Sequence, residues 1–395
     1  MHPFLRLPFL ANRFFGVLAG LYCLWGSPGL RAQPRLVKDI NPPTATHHAP
    51  MPGRRAPANG KLDLNATIPG HGTGLWQSDG AAPSLLQDMV PGRKGAAPNG
   101  VTTASGVVYF AAFDPQHGRE LWKTDGTAAG TVRVKDIYPG ARDGLDAQPG
   151  SPLAGVGNTV FFTANDGIAG VELWKSDGTE AGTVLVKDIR PGSLGANPSN
   201  LIALNGTLYF AANDGAGGNE LWKSDGTEAG TVLVKDIRPG PAGVAPAHLA
   251  AFRNTLYFVA NDGRTGRELW KSDGTAAGTT LVKDINRGPV NSNPGQLFEV
   301  NGTLCFIAED ALHGRELWKS DGTAAGTVLV KDILPGVGNG FAYYAIGLTP
   351  AGNALYFTAD DGVSGRKRWR SDGTAAGTVR TGDTYTGRGH VSPVD

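Results

Sequence analysis

The sequence predicts an all-β chain, a β-propeller of seven four-stranded blades, and three observations carry that expectation. Seven of the eight tryptophans (Trp76, Trp122, Trp174, Trp222, Trp270, Trp318 and Trp369) share one local motif, at successive steps of 46, 52, 48, 48, 48 and 51 residues. A period near 50 residues is the mark of a repeat architecture. Within each period, turn-forming residues cut the chain into four short apolar segments. One of those segments is apolar on both alternating faces, as a strand must be when its sheet is covered on both sides.

The unit from Leu201 to Gly240 justifies each strand in order. Leu201-Ile202-Ala203-Leu204 leads into Asn205-Gly206, a strong two-residue hairpin signal, and then into Thr207-Leu208-Tyr209-Phe210-Ala211-Ala212. Asn213-Asp214-Gly215 and Gly217-Gly218 form a second turn before Glu220-Leu221-Trp222-Lys223-Ser224. Asp225-Gly226-Thr227 to Gly230 is a third turn. Thr231-Val232-Leu233-Val234-Lys235-Asp236-Ile237 is a fourth strand, stopped by Pro239-Gly240. In the second strand Leu208, Phe210 and Ala212 point one way, Tyr209 and Ala211 the other. Radial stacking of such sheets buries both faces. A β-solenoid is the alternative, but its coils are shorter and lack three tight hairpins per unit.

The ends suggest how the ring closes. The last unit has a poor fourth strand, Val379-Arg380-Thr381-Gly382-Asp383, while a good copy, Val37-Lys38-Asp39-Ile40, stands alone near the N-terminus. The expectation is that the N-terminal strand completes the last blade, pairing with the strand of Trp369. A truncated extra repeat is the alternative. The chain then divides into a signal peptide (1–32), a closing strand with an irregular segment (33–58), the seven repeats (59–383) and a polar tail (384–395).

Residues 1–32 read as an export signal: Arg6 and Arg13, an apolar run from Phe14 to Trp25, and a small-residue exit at Gly29-Leu30-Arg31-Ala32. An uncleaved anchor, or lipidation at Cys23, are lesser alternatives. If Cys23 leaves with the signal, Cys305 is alone and no intramolecular disulfide forms. A formal charge of +1 with interspersed signs gives nucleic acid no electrostatic footprint. The 58 glycines and 27 prolines fall in periodic turns, which excludes a collagen or low-complexity chain.

Glu-Leu-Trp-Lys-Ser-Asp-Gly-Thr at Glu172, Glu220, Glu268 and Glu316, with Glu-Leu-Trp-Lys-Thr-Asp-Gly-Thr at Glu120, resembles the motif of the bacterial ELWxxDGT-repeat (hyalin-like) proteins. The resemblance spans essentially everything after residue 32. It implies a secreted or surface-exposed, propeller-like protein and implies no catalytic residue. Two units depart from the motif: Gly74-Leu75-Trp76-Gln77-Ser78-Asp79-Gly80-Ala81 and Lys367-Arg368-Trp369-Arg370-Ser371-Asp372-Gly373-Thr374.

The residues that look chemical are mostly explained by the repeat. The seven tryptophans are expected to build the core, with sugar stacking as the alternative. Asp214, Asp225 and their equivalents suit turns, and no unit has the Asp-x-Asp-x-Asp-Gly spacing of a calcium loop. No metal ligands or cofactor are therefore expected, calcium being the one conceivable ion. Lys187-Asp188, Lys235-Asp236 and Lys283-Asp284 are expected to pair with Glu or Lys of a neighbouring strand. His117 and His313 are expected to be solvated turn residues. No catalytic constellation is visible. Extra residues precede the third unit and follow Gly336, and the latter stretch brings Phe341, Tyr343 and Tyr344, the candidates for a binding contact or for an apolar plug over the blade seam.

These readings lead to an exported, non-catalytic binding or adhesion scaffold for protein or polysaccharide, at the cell surface, in matrix or in the periplasm. It is expected to be a monomer without nucleic acid and without stable membrane insertion once the signal is removed. The alternatives are a polysaccharide-active lyase or hydrolase with its site in the propeller channel, and a purely structural matrix component.

Overall fold

A computed structural model describes residues 56–58, 61–68, 72–78, 84–90, 95–145, 153–244, 246–343 and 347–381. Its strands form seven four-stranded antiparallel sheets, spanning 56–87, 99–135, 153–187, 199–235, 247–283, 295–331 and 349–380, here blades one to seven. Every blade is a meander in chain order, and the described residues contain no helix. The first strands of successive blades lie side by side, which is the innermost position of a propeller. No described helix is long and apolar enough to cross a membrane.

Blade four shows how the sequence makes the sheet. Its strands are Ser199–Leu204, Thr207–Asn213, Asn219–Ser224 and Val232–Lys235. Asn205 and Gly206 both take positive φ (51° and 76°), the type I′ geometry whose twist suits a two-residue hairpin. The second strand pairs residue by residue with the third, Phe210 opposite Trp222. The register of the first strand slips between Ser199 and Ile202, where Asn200 takes φ 55°. Blades five and six slip at the same place, with His248 at φ 52° and Gln296 at φ 54°. Such a bulge turns a side chain out of the normal alternation.

Packing between blades uses both faces of the second strand. Leu208, Phe210, Ala212 and Trp222 pack on Phe161, Leu173, Val186 and Ile189 of blade three. Tyr209, Leu221, Val234 and Ile237 pack on Leu256, Phe258, Ala260 and Trp270 of blade five. The tryptophans of blades two to seven thus lie in the seam with the preceding blade, and Trp222 is 7% exposed. Burying an indole removes roughly 150–250 Å² from water, the largest share a single side chain can give such a seam.

Polar clamps reinforce the seams. Lys223 donates to the Gly274 carbonyl of the next blade at 2.8 Å, and Lys235 to that of Thr279 at 2.7 Å. Lys187 and Lys283 likewise reach Thr231 and Thr327. This corrects the expected pairing of these lysines with a neighbouring strand's Glu or Lys: the ammonium crosses to a backbone carbonyl of the following blade. The turn that receives them is knit internally. Asp225 Oδ1 accepts from the amide and hydroxyl of Thr227, Thr227 Oγ1 accepts from Gly230 N, and the Ser224 and Thr231 hydroxyls bond at 2.8 Å. A Cβ on Gly230 would stand 2.0 Å from Asp225 Oδ1, so that position excludes every side chain.

One carboxylate per regular blade ties the chain to the next blade. Glu172 is fully buried and accepts from the amides of Ile189 (3.2 Å), Arg190 (3.1 Å) and Ala196 (2.8 Å), all in the connection leading to blade four. Glu120 does the same for Ile137, Tyr138 and Gly144, and Glu268 for Ile285 and Ser292. Burial raises these carboxyls above their ordinary range, to about 7 for Glu172, Glu220, Glu268 and Glu316 and about 8 for Glu120, against the opposing pull of the amide donors. Blade one has Gly74 in this place, and its connection is held by the bridge of Thr73 to Gly95 and by Ala97 N donating to Thr73 O. Blade seven has Lys367.

The strand of Trp369 pairs with Val379–Arg380, Trp369 standing opposite Arg380. Blade seven thus completes its sheet with its own two-residue fourth strand, in the place the sequence analysis gave to Val37–Ile40. That N-terminal segment lies outside the described residues.

Two stability outcomes are expected. Trp222→Ala should cost about 3–5 kcal/mol, as large buried aromatics do; an unchanged thermal midpoint would contradict the seam packing. The glutamates give a pH dependence of definite sign. A carboxyl whose folded pKa is raised stabilises the fold below its ordinary pKa near 4.5 and loses that contribution as pH climbs through 7 to 8. The turn aspartates, lowered chiefly by their threonine partners, act oppositely, and only below about pH 4. Thermal midpoints should therefore fall between pH 5.5 and 8.5. The gap between the wild type and Glu172→Gln should narrow over the same range, because glutamine does not titrate; parallel curves would contradict the assignment.

Candidate functional site

Among the described residues, the junction of blades five and six departs from the repeat. A cavity of about 390 Å³ opens there, lined by His248, Arg267, Asn293, Pro294, Gly295, Gln296, Arg315 and Tyr343. Each residue arrives by a device of the fold. His248 and Gln296 are the bulge residues of two first strands, turned out by their positive φ. Arg267 and Arg315 open the third-strand region just before the buried Glu268 and Glu316. Tyr343 comes from the lengthened connection to blade seven. Blades three and four carry Val171 and Asn219 where blades five and six carry the two arginines, while blade two has Arg119 and blade seven Arg366 at that position.

The electrostatics are those of an anion receptor. Arg315 is only 8% exposed, and its guanidinium lies 5.2 Å from the centre of the Tyr343 ring. Its Nε is buried with no hydrogen-bond partner. Burial lowers the Arg315 pKa from its ordinary value, opposed by Glu309 and Tyr343, and a guanidinium stays charged through such a shift. Glu309 is the nearest counter-charge, but its two oxygens are taken by Asn293 Nδ2 and the Tyr343 hydroxyl, both at 2.8 Å. His248 is held below its usual pKa by desolvation, then by Arg267 and Arg315, which favours the neutral imidazole. The pocket therefore offers two guanidinium groups, a neutral histidine and an amide, beside the aromatic face of Tyr343.

The other expected site residues divide. Phe341 is fully buried and packs on Phe357 with ring centres 5.0 Å apart, so it plugs the seam of blades six and seven. Tyr343 is 54% exposed and belongs to the pocket. Tyr344 lies outside the described residues. His117 and His313 are not simply solvated: each ring Nδ1 meets an aspartate of its own turn, Asp114 at 2.8 Å and Asp310 at 2.9 Å. Among the described residues no group of three or more His, Cys, Asp or Glu side chains is placed to hold a metal ion. Cys305 is a free, buried thiol whose pKa burial pushes up to about 11, which leaves it unreactive. Sequence reasoning missed His248, Arg267, Gln296 and Arg315. The arginines could have been found as the residue before each Glu-Leu-Trp; the bulge residues carry no such mark.

No family model matches the chain, and no curated protein matches it. Solved structures do. A prolyl endopeptidase, from a study of inter-domain dynamics in catalysis and specificity, is 13% identical with a TM-score of 0.51, over 84% of this chain and 50% of its own. A puromycin hydrolase is 14% identical with a TM-score of 0.46, over 87% of this chain and 55% of its own. An acylaminoacyl peptidase from Pyrococcus horikoshii is 9% identical with a TM-score of 0.42, over 84% and 52%. This chain spans about half the length of the structures it matches. The first likeness establishes a shared fold, and it corrects the expectation of a non-catalytic adhesion scaffold. That expectation rested on blades without a catalytic constellation, yet the same blades occur within a prolyl endopeptidase. Uniform blades are thus no argument against a hydrolase.

Proposed function

We propose that this chain is the substrate-receiving propeller of a peptidase-type hydrolase. The observation that carries the reading is the fold shared with a prolyl endopeptidase over 84% of this chain. The basic pocket supports it, because it stands at the innermost strands, where a chain entering the ring would pass. In this reading the propeller selects and holds an extended peptide, while the groups that break the bond are assigned to none of the described residues. The leader-like reading of residues 1–32 and the ELWxxDGT resemblance support an exported setting, with peptides at or beyond the cell surface as substrates. Neither a metal nor a cofactor is part of the proposal.

The test uses the protein purified from its native cells, so that any associated domain or subunit is retained. Incubated with a library of unstructured peptides and analysed by mass spectrometry, it should cut a restricted set of bonds. A panel of polysaccharides should survive the same incubation. Depolymerised polysaccharide with intact peptides, or no turnover of either, would overturn the reading.

A further inference from the structure

The interior of the basic pocket is more specific than its fold. Arg315 is nine-tenths buried, and Glu309, whose charge partly offsets it, spends its hydrogen bonds on Asn293 and Tyr343 and not on the guanidinium. Its Nε faces no protein acceptor. Arg267 lines the same space and brings a second positive charge. Two guanidinium groups against one internally satisfied carboxylate leave an excess positive charge that a ligand must meet. Planar guanidinium groups match a planar carboxylate through paired N–H donors. The rest of the lining suits the end of a peptide. Tyr343 and Pro294 supply an apolar wall, and Gln296 and Asn293 lie beside it with amide groups. A Cβ at Gly295 would make ordinary van der Waals contact with His248 Nε2, at 3.8 Å, so a branched side chain there would project into the pocket beside the histidine.

We propose that Arg315 and Arg267 form a binding site for the free C-terminal carboxylate of a peptide, at the junction of blades five and six. The choice of a peptide rests on the hydrolase reading above; the carboxylate site itself rests on the pocket. The size agrees, because a cavity of about 390 Å³ accommodates one or two residues and not a folded domain. Such a site would make the propeller a reader of chain ends, favouring short peptides with a free terminus over internal segments of long ones. His248 then serves as a reporter. It faces Arg267 and Arg315, with Tyr343 and Glu309 across the pocket, and a bound carboxylate offsets the repulsion of the arginines and raises the histidine's pKa.

The experiment is direct binding, measured by calorimetry with tri- and tetrapeptides as free acids and as C-terminal amides. The free acid should bind at least tenfold more tightly than the amide, and NMR should show His248 titrating at higher pH in its presence. Arg315→Gln should erase the acid–amide difference. Gly295→Val, which touches no charge and has no positive φ to lose, should block the pocket if Arg315→Gln proves unstable. Equal affinity for acid and amide would overturn the proposal. So would a uronic-acid oligosaccharide binding better than any peptide, which would assign the pocket to acidic sugars. Binding of free-acid peptides without turnover by the native preparation would leave the carboxylate site standing and remove the hydrolase reading. Turnover with no acid–amide difference would do the reverse.

Discussion

The buried glutamate of each regular unit is the constraint on which the ring depends. A propeller needs each chain connection to leave the outer strand of one sheet and reach the innermost strand of the next. That crossing leaves backbone amides with no sheet to bond to, and an unpaired buried amide costs about 1–3 kcal/mol. Glu172 answers three of them with two oxygens, from within the strand that also carries Trp174. The tryptophan fills the seam with the preceding blade while the glutamate fixes the path to the following one. Glu172 and Trp174, two residues apart on one strand, thus orient a blade towards both its neighbours. The cost is a carboxyl held where its charge is poorly solvated, which is why burial, and not the amides, dominates its pKa.

The functional asymmetry grows out of that same geometry. At the junction of blades five and six the residue before the glutamate, Arg267, and the bulge residue of the next first strand, Gln296, line one space. Blades three and four fill the first of these positions with neutral groups, Val171 and Asn219, and blade two with Arg119. At blades five and six the positions hold Arg267, His248, Arg315 and Gln296, and the lengthened connection adds Tyr343. The repeated frame thus carries a basic pocket at this junction, built by substitution at positions the frame does not need.

The blades were legible because their signals are local and repeated. Asn205-Gly206 marks its own hairpin, and the two apolar faces of Leu208 to Ala212 require a neighbour on each side. The long-range partners were not legible. Lys235 and Asp236 look like a pair in sequence, but the lysine's partner is the Thr279 carbonyl, 44 residues on. The role of Glu220 was not legible either, although its replacement by Gly74 and Lys367 in units that keep the turn residues Asp79 and Asp372 sets it apart from the turn. The pocket was half legible: the aromatic insertion was visible, but which of Phe341 and Tyr343 points inward depends on the packing of Phe357. The bulges at His248 and Gln296 lie in unremarkable sequence, since their positive φ is imposed by the sheet and not by glycine.

The claim that buried glutamates hold the ring's connections is tested most directly by amide hydrogen exchange in Glu172→Ala. Protection should be lost at Ile189, Arg190 and Ala196 and along the connection into Ser199–Leu204. The turn amides of Thr179 and Gly182, bonded to Asp177 and Thr179, should exchange as before. Retained protection at the three connection amides, or a loss spread evenly over blade three, would contradict it.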